Sequence, residues 1–306
     1  MLLILEIIIG ALLVIKGADW LTSGSVAVAM RLGVSQMVIG LTIVAMGTSM
    51  PEFCVSLVSA IHQSPGLAIG NIVGSNIFNA MFIVGITAMV APMAISHTTI
   101  KRDVPVAVLA SVVLAALCAD GLLSRLDAAL LFAMFVIYMW LTLRNARQEA
   151  DDSPTSMSII KSVVFILLGL AGLVFGSNIF VSGATGIARS LGVSDAVIGL
   201  TIVAGGTSLP ELATSVVAAR KGNSAIAIGN VLGSNVFNIL FILGITGMIC
   251  PMQTLGITWV DFAVMTISMV LLWLFAYTKY IIERWEGALL TALFIGYLSW
   301  LVANAI

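Results

Sequence analysis

The chain has 306 residues, 60% of them hydrophobic and 9% charged, with a net charge of −1 and a mean hydropathy of +1.17. A chain this apolar does not fold as a water-soluble domain of its length, and its charge balance argues against a nucleic-acid partner or a polybasic lipid-binding surface. It is expected to be an integral membrane protein.

A spanning helix needs about 20 mostly apolar residues. Ten candidates follow one another along the chain, at 2–24, 37–61, 66–91, 103–120, 126–144, 159–183, 196–219, 225–250, 260–278 and 286–304. The first carries Lys16 and Asp19, which are expected to pair or to reach for the interface, and no cleavage or transit signal precedes it, so it is expected to be retained. The stretch NARQEADDSPTS (145–156) is a charged linker too short and too polar to fold alone. Cys54, Cys118 and Cys250 stand singly in apolar helices and read as packing residues. His62 and His97, at helix ends, belong to no zinc pattern, and no GxSxG elbow supports an intramembrane hydrolase.

The chain repeats itself with an offset of 159 residues. GVSQMVIGLTIVAMGTSMPE (33–52) faces GVSDAVIGLTIVAGGTSLPE (192–211) with 16 of 20 identities, and AIGNIVGSNIFN (68–79) faces AIGNVLGSNVFN (227–238) with 9 of 12. The expected division is a first repeat over 1–144, a linker over 145–158 and a second repeat over 159–306. Five helices per half is an odd number, so the second copy enters the membrane from the opposite side. Inverted repeats are a signature of secondary transporters, whose substrate site lies near the bilayer midplane where the copies meet. If the helices alternate from residue 1, the N-terminal side of the membrane receives only Arg125 and Arg189. The other receives Arg31, Lys101, Arg102, Arg144, Arg147, Lys161, Arg220, Lys221, Lys279 and Arg284. The positive-inside rule then places both termini outside the cytoplasm and the linker within it.

Two carboxylates, Glu52 and Glu211, lie inside apolar stretches, each preceded by proline. Buried charge within a span normally faces a cavity, a partner or an ion. Pro51 and Pro210 are expected to open the backbone, freeing carbonyls from Ala45 to Thr48 and from Ala204 to Thr207. Thr48 and Ser49, like Thr207 and Ser208, precede their glutamate by four and three positions and are expected to share its face. Ser75 and Asn79, and Ser234 and Asn238, stand four apart and point one way. Gly70 with Gly74, and Gly229 with Gly233, form small-xxx-small pairs for close helix contact. A single TSxPE reads equally well as a proline kink, and glycines at this spacing are ordinary packing devices. Recurrence of all these features in register argues for a site. Every donor in it is oxygen, which suits hard cations such as calcium and sodium.

The paired words GTSMPE and GTSLPE, followed by GNIVGSNIFN and GNVLGSNVFN, resemble the two alpha-repeats of the calcium/cation antiporter superfamily, in particular its prokaryotic sodium/calcium exchangers. The resemblance covers nearly the whole chain. It implies an all-α membrane protein of about ten transmembrane helices in two inverted-topology five-helix repeats, with broken helices at the midplane. It further implies ion coordination by Ala45, Thr48, Ser49, Glu52, Ser75 and Asn79 and by Ala204, Thr207, Ser208, Glu211, Ser234 and Asn238, the alanines through their carbonyls. Alternating access would come from the first helix of each half sliding past a rigid core. The short linker departs from animal exchangers, whose loop holds calcium-sensing domains. Asn238 departs from the aspartate many similar exchangers carry, and aspartate is expected to be tolerated there.

The expected function is calcium/sodium antiport in a prokaryotic inner membrane. No cofactor is called for, and the partners are the two ions and the lipid bilayer, without an obligate protein. A calcium/proton antiporter, or one for another divalent cation, is the alternative, since paired asparagines also occur in the proton-driven branch. A cation channel of the same fold is not excluded by the sequence, but channels usually gain their rings of ligands from identical subunits. An intramembrane enzyme would have only Ser or Thr near a glutamate.

Overall fold

The computed structural model describes residues 2–62, 65–144, 146, 157–192, 204–254 and 256–305. Helix occupies all ten expected segments, with residues 196–203 of the seventh outside the described residues. In chain order these are α1 (Leu2–Leu32), α2 (Gln36–Thr48), α3 (Met50–Ile61), α4 (Gly66–Val90), α5 (Asp103–Leu117), α6 (Arg125–Arg144), α7 (Ile159–Ser190), α8 (Ala204–Thr207), α9 (Leu209–Arg220), α10 (Ser224–Ile249), α11 (Trp259–Lys279) and α12 (Arg284–Ala305). By length and apolarity alone, six of the described helices qualify as membrane spans, or seven if the bent pair α2–α3 counts as one.

Local chemistry sets the helix ends. Gly33 and Gly192, 159 residues apart, follow α1 and α7 with φ of +59° and +80°, left-handed values that cost glycine nothing and so stop the helix. Ser35 then caps α2 by accepting from Val38 N at 3.3 Å, and Ser158 caps α7 by accepting from Lys161 N at 3.3 Å, each satisfying a first-turn N–H.

The inversion is visible in how α1 meets α7. A Cβ built on Gly10 would stand 2.7 Å from the Gly176 carbonyl oxygen, one on Gly17 2.8 Å from that of Gly169, and one on Gly24 2.7 Å from that of Ser162. Numbers rise along α1 as they fall along α7, so the two equivalent helices run antiparallel. Lipid offers apolar groups no advantage in leaving it for one another, and helices in a bilayer associate where small residues let backbones touch. Gly10, Gly17 and Gly24, matched by Gly169, Gly176 and Gly183, provide that contact.

The centre belongs to α4 and α10. The most apolar stretch of α10 is 94% buried and that of α4 72%, against 28% for α6, α7 and α12. Gly229 and Gly233 let α10 cross α2 closely: added Cβ atoms would lie 3.0 Å from Gly40 Cα and 2.7 Å from Leu41 Cα. Gly70 and Gly74 have no such close backbone neighbour among the described residues. Most of the segment equivalent to α2 in the second half, residues 195–203, lies outside them.

Two features were not expected. Short antiparallel ribbons join the halves at their loops, β1 (Met93–Ala94) with β4 (Ile281–Ile282) and β2 (Leu122–Leu123) with β3 (Met252–Gln253). Among the described residues three π-helical turns interrupt the α pattern, at Gly40–Val44, Phe78–Ile83 and Phe237–Ile242. Each of the last two is clamped by an aromatic triad. Phe78, Phe82 and Phe294 have centroids 4.8–5.3 Å apart, and Phe237, Phe241 and Phe135 repeat the cluster at 4.5–5.9 Å.

Candidate cation site

The helix running from Gln36 breaks at Ser49, whose φ and ψ of −82° and 8° leave the helical region, and the axis bends by 47°. Ser208 repeats the break with φ −90° and ψ 7°. Proline then opens a new helix instead of kinking an old one: Pro51 and Pro210 occupy its first turn, where a missing N–H is harmless. Glu52 and Glu211 follow in the same first turns, at the positive end of the helix dipole, which favours a carboxylate. Both are 1% exposed.

The break also corrects the expectation that Ser49 and Ser208 share the face of their own glutamates. Ser49 Oγ donates to Glu211 Oε1 at 2.9 Å, and Ser208 Oγ donates to Glu52 Oε1 at 3.0 Å. Non-helical backbone at the two serines turns their side chains across the axis between the halves. Ser208 Oγ also lies 3.4 Å from Ser75 Oγ. Thr48 Oγ1 reaches Asn230 Oδ1 at 3.1 Å and the Ala45 carbonyl at 3.3 Å. That carbonyl also accepts the Ser49 N–H at 3.0 Å, so the proline does not free it; the carbonyl deprived of its helical donor by Pro51 is that of Gly47, four residues earlier. The half-buried Thr207 faces the Glu52 carboxylate. Ala204 begins α8.

Asn79 and Asn238 sit within the π turns, each held through its amide nitrogen. Asn79 Nδ2 donates to Asn235 Oδ1 at 3.1 Å and Asn238 Nδ2 to Asn76 Oδ1 at 3.0 Å. What remains is a set of acceptors. Glu52 Oε2, Glu211 Oε2, Asn79 Oδ1, Asn238 Oδ1 and Ser234 Oγ are buried without a hydrogen-bond partner among the described residues. An unsatisfied buried polar group costs about 1–3 kcal/mol. The five named here lie on α3, α4, α9 and α10, and with two carboxylates among them they match the needs of a hard cation.

A family model described as sodium/calcium exchanger protein matches residues 2–144 and again 161–303. The chain belongs to that family. It is 33% identical to the sodium/calcium exchanger MaX1 of Methanosarcina acetivorans, over 96% of this chain and 97% of that one. It is 35% identical to the inner membrane protein YrbG of Escherichia coli, over 96% and 95%. A solved structure of the sodium-calcium exchanger NCX_Mj superposes with a TM-score of 0.87 at 36% identity, covering 98% of each chain.

Within this exchanger fold, four asparagines went unassigned in the sequence. Asn71 Nδ2 holds the Glu52 carbonyl at 3.2 Å and Ser56 Oγ at 3.0 Å. Asn230 Nδ2 does the same for Glu211 and Ser215, at 3.2 and 3.0 Å. Asn76 and Asn235 hold Asn238 and Asn79. The signal was present in the repeated spacing GNxxGSNxFN, which carries three asparagines per copy, only the last of which was assigned. Lys16 and Asp19 do pair, at 3.2 Å, and Asp19 also holds Lys221 at 2.5 Å.

Proposed function

We propose that the chain is a secondary antiporter that exchanges calcium for sodium across a prokaryotic inner membrane, with the cargo held by Ala45, Thr48, Ser49, Glu52, Ser75 and Asn79 and by Ala204, Thr207, Ser208, Glu211, Ser234 and Asn238. The observation that carries the reading is the crossed pair Ser49–Glu211 and Ser208–Glu52, which leaves one oxygen of each carboxylate buried and unpartnered. One calcium ion neutralises the two glutamates, and sodium ions taken up in its place carry the site through a different charge. An uncompensated charge in a low-dielectric cavity is costly, so the two cargoes exclude each other, which is the requirement for exchange over leak. A net charge moved with each cycle would couple exchange to membrane potential at about 2.3 kcal/mol per charge per 100 mV.

Alternating access is assigned to α1 and α7, whose glycine faces meet backbone to backbone, sliding past the buried α4 and α10. The first half is taken as 1–144, the linker 145–158 as cytoplasmic, and both termini as outside the cytoplasm, on the strength of the ten-to-two distribution of basic residues.

One observation favours a second reading. Asn79 and Asn238 are both amides, so the site holds at most two negative charges, and protons on the glutamates would exchange with calcium without excess charge. Labelled calcium uptake into proteoliposomes separates the two. An imposed outward sodium gradient drives uptake on the first reading; uptake driven by a pH gradient in sodium-free medium, indifferent to sodium, replaces it with the second.

A further inference from the structure

An asparagine at a cation site is ambiguous, because its side chain presents either a carbonyl oxygen, which binds a cation, or an NH2 group, which repels one. Resting on the antiporter reading, we infer that Asn76 and Asn235 are positioning residues that lock Asn238 and Asn79 with their carbonyl oxygens toward the cargo.

The argument starts from two main-chain carbonyls, which can only accept. Asn76 Nδ2 donates to the Asn235 carbonyl at 3.2 Å. The amide group of Asn76 is thereby oriented, and its Oδ1 is what remains to meet Asn238. Asn238 must therefore turn its Nδ2 inward, at 3.0 Å, and its Oδ1 away, where it is buried and unpartnered among the described residues. The mirror chain is the same. Asn235 Nδ2 donates to the Asn76 carbonyl at 3.4 Å and to Met269 Sδ at 3.0 Å, its Oδ1 receives Asn79 Nδ2 at 3.1 Å, and Asn79 Oδ1 is left over. All four asparagines are 1% exposed, so bulk water is not at hand to take over a broken bond, and flipping one amide sets donor against donor or oxygen against oxygen along the whole chain.

The ring is specific to amides at 79 and 238. Aspartate at 238 would place a carboxylate oxygen against Asn76 Oδ1. If ionised, it would force Asn76 to reverse and abandon the Asn235 carbonyl, so the tolerance of aspartate expected from sequence is accompanied by coupling between positions 76 and 238. A carboxylate, with two equivalent oxygens, also needs no one to choose its orientation.

The test is a double-mutant cycle on the full chain purified in detergent, read as the half-saturating calcium concentration by calorimetry and as labelled calcium flux in proteoliposomes. Asn76→Ala in the otherwise unchanged chain is expected to weaken calcium binding about tenfold, the loss of one orienting hydrogen bond, with maximal flux changed less. In an Asn238→Asp background the same Asn76→Ala change is expected to cost little or nothing. The mirror cycle, Asn235→Ala with Asn79→Asp, is expected to behave alike. An equal loss in both backgrounds overturns the inference, as does failure of Asn76→Ala and Asn235→Ala to fold in any background, since either makes these asparagines struts. An unsubstituted chain that neither binds nor carries calcium removes the antiporter reading instead, and is recognised before any variant is made.

Discussion

Replacing Glu52 or Glu211 by glutamine keeps the shape of the site and removes half its charge. Glu52 accepts the Ser208 hydroxyl at Oε1 and leaves Oε2 without a partner. Glutamine preserves the first contact through its carbonyl oxygen, but its NH2 group then stands in place of the Oε2 that is proposed to meet the cation. A divalent ion would meet one carboxylate instead of two and an added donor. Breaking a buried charge pair by removing one partner costs about 3–5 kcal/mol, which at about 1.4 kcal/mol per decade is a loss of roughly a hundred- to several-thousandfold in calcium affinity. Calorimetric titration of monodisperse Glu52→Gln and Glu211→Gln protein, followed by labelled calcium flux in proteoliposomes, measures it. Near-normal affinity and flux in both variants would refute the reasoning, because no other charged side chain has been assigned to the cargo.

Gly17→Ala and Gly169→Ala place a methyl 2.8 Å from a carbonyl oxygen and 2.6 Å from Leu21 N respectively, and overpacking of this kind costs about 1–3 kcal/mol, so both lower the melting temperature and slow flux. Gly296→Ala, with nothing within 4 Å of the new atom, is neutral or gains up to about 1 kcal/mol from reduced backbone freedom; equal melting shifts for all three would contradict the packing. Calcium affinity rises with pH between about 5 and 8, since protons and calcium compete for the same carboxylate oxygens and acid favours the proton; titrations at several pH values with constant affinity would exclude that competition. Single cysteines at Leu2 and Ala305, in a chain freed of Cys54, Cys118 and Cys250, are labelled by an impermeant reagent added outside intact cells; labelling restricted to the cytoplasmic side reverses the proposed orientation.

The fold was largely legible because each half states it independently. The ten apolar stretches carry the helices, and the odd number per half carries the inversion later visible in the antiparallel α1 and α7. Glu52 and Glu211 were legible as the costliest residues to place in an apolar helix. The crossing of Ser49 to Glu211 was not, since helical spacing places Ser49 beside Glu52 and only the non-helical ψ of 8° sends it elsewhere. The π turns escaped for a related reason: one extra residue in a turn leaves no mark in a hydrophobic pattern, and the triads that clamp it join Phe78 and Phe82 to a phenylalanine over 200 positions away. Asn76 and Asn235 were visible as letters but not as parts, because their role depends on which atom of an amide faces a main-chain carbonyl in the other half.

Four of the crossed contacts form two twin pairs: Ser49 on Glu211 and Ser208 on Glu52, Asn79 on Asn235 and Asn238 on Asn76. Reciprocity of this kind defines an isologous interface between identical subunits. A half-length polypeptide inserted once in each orientation would satisfy these bonds as a homodimer; joining the copies in one chain frees them to diverge. Divergence has already reached the rim. Asp19 grips Lys221 at 2.5 Å, whereas the residues 159 positions away, Asn178 and His62, cannot form that ion pair. The two halves, alike in these central contacts, therefore differ in the ion pairs they can form around them.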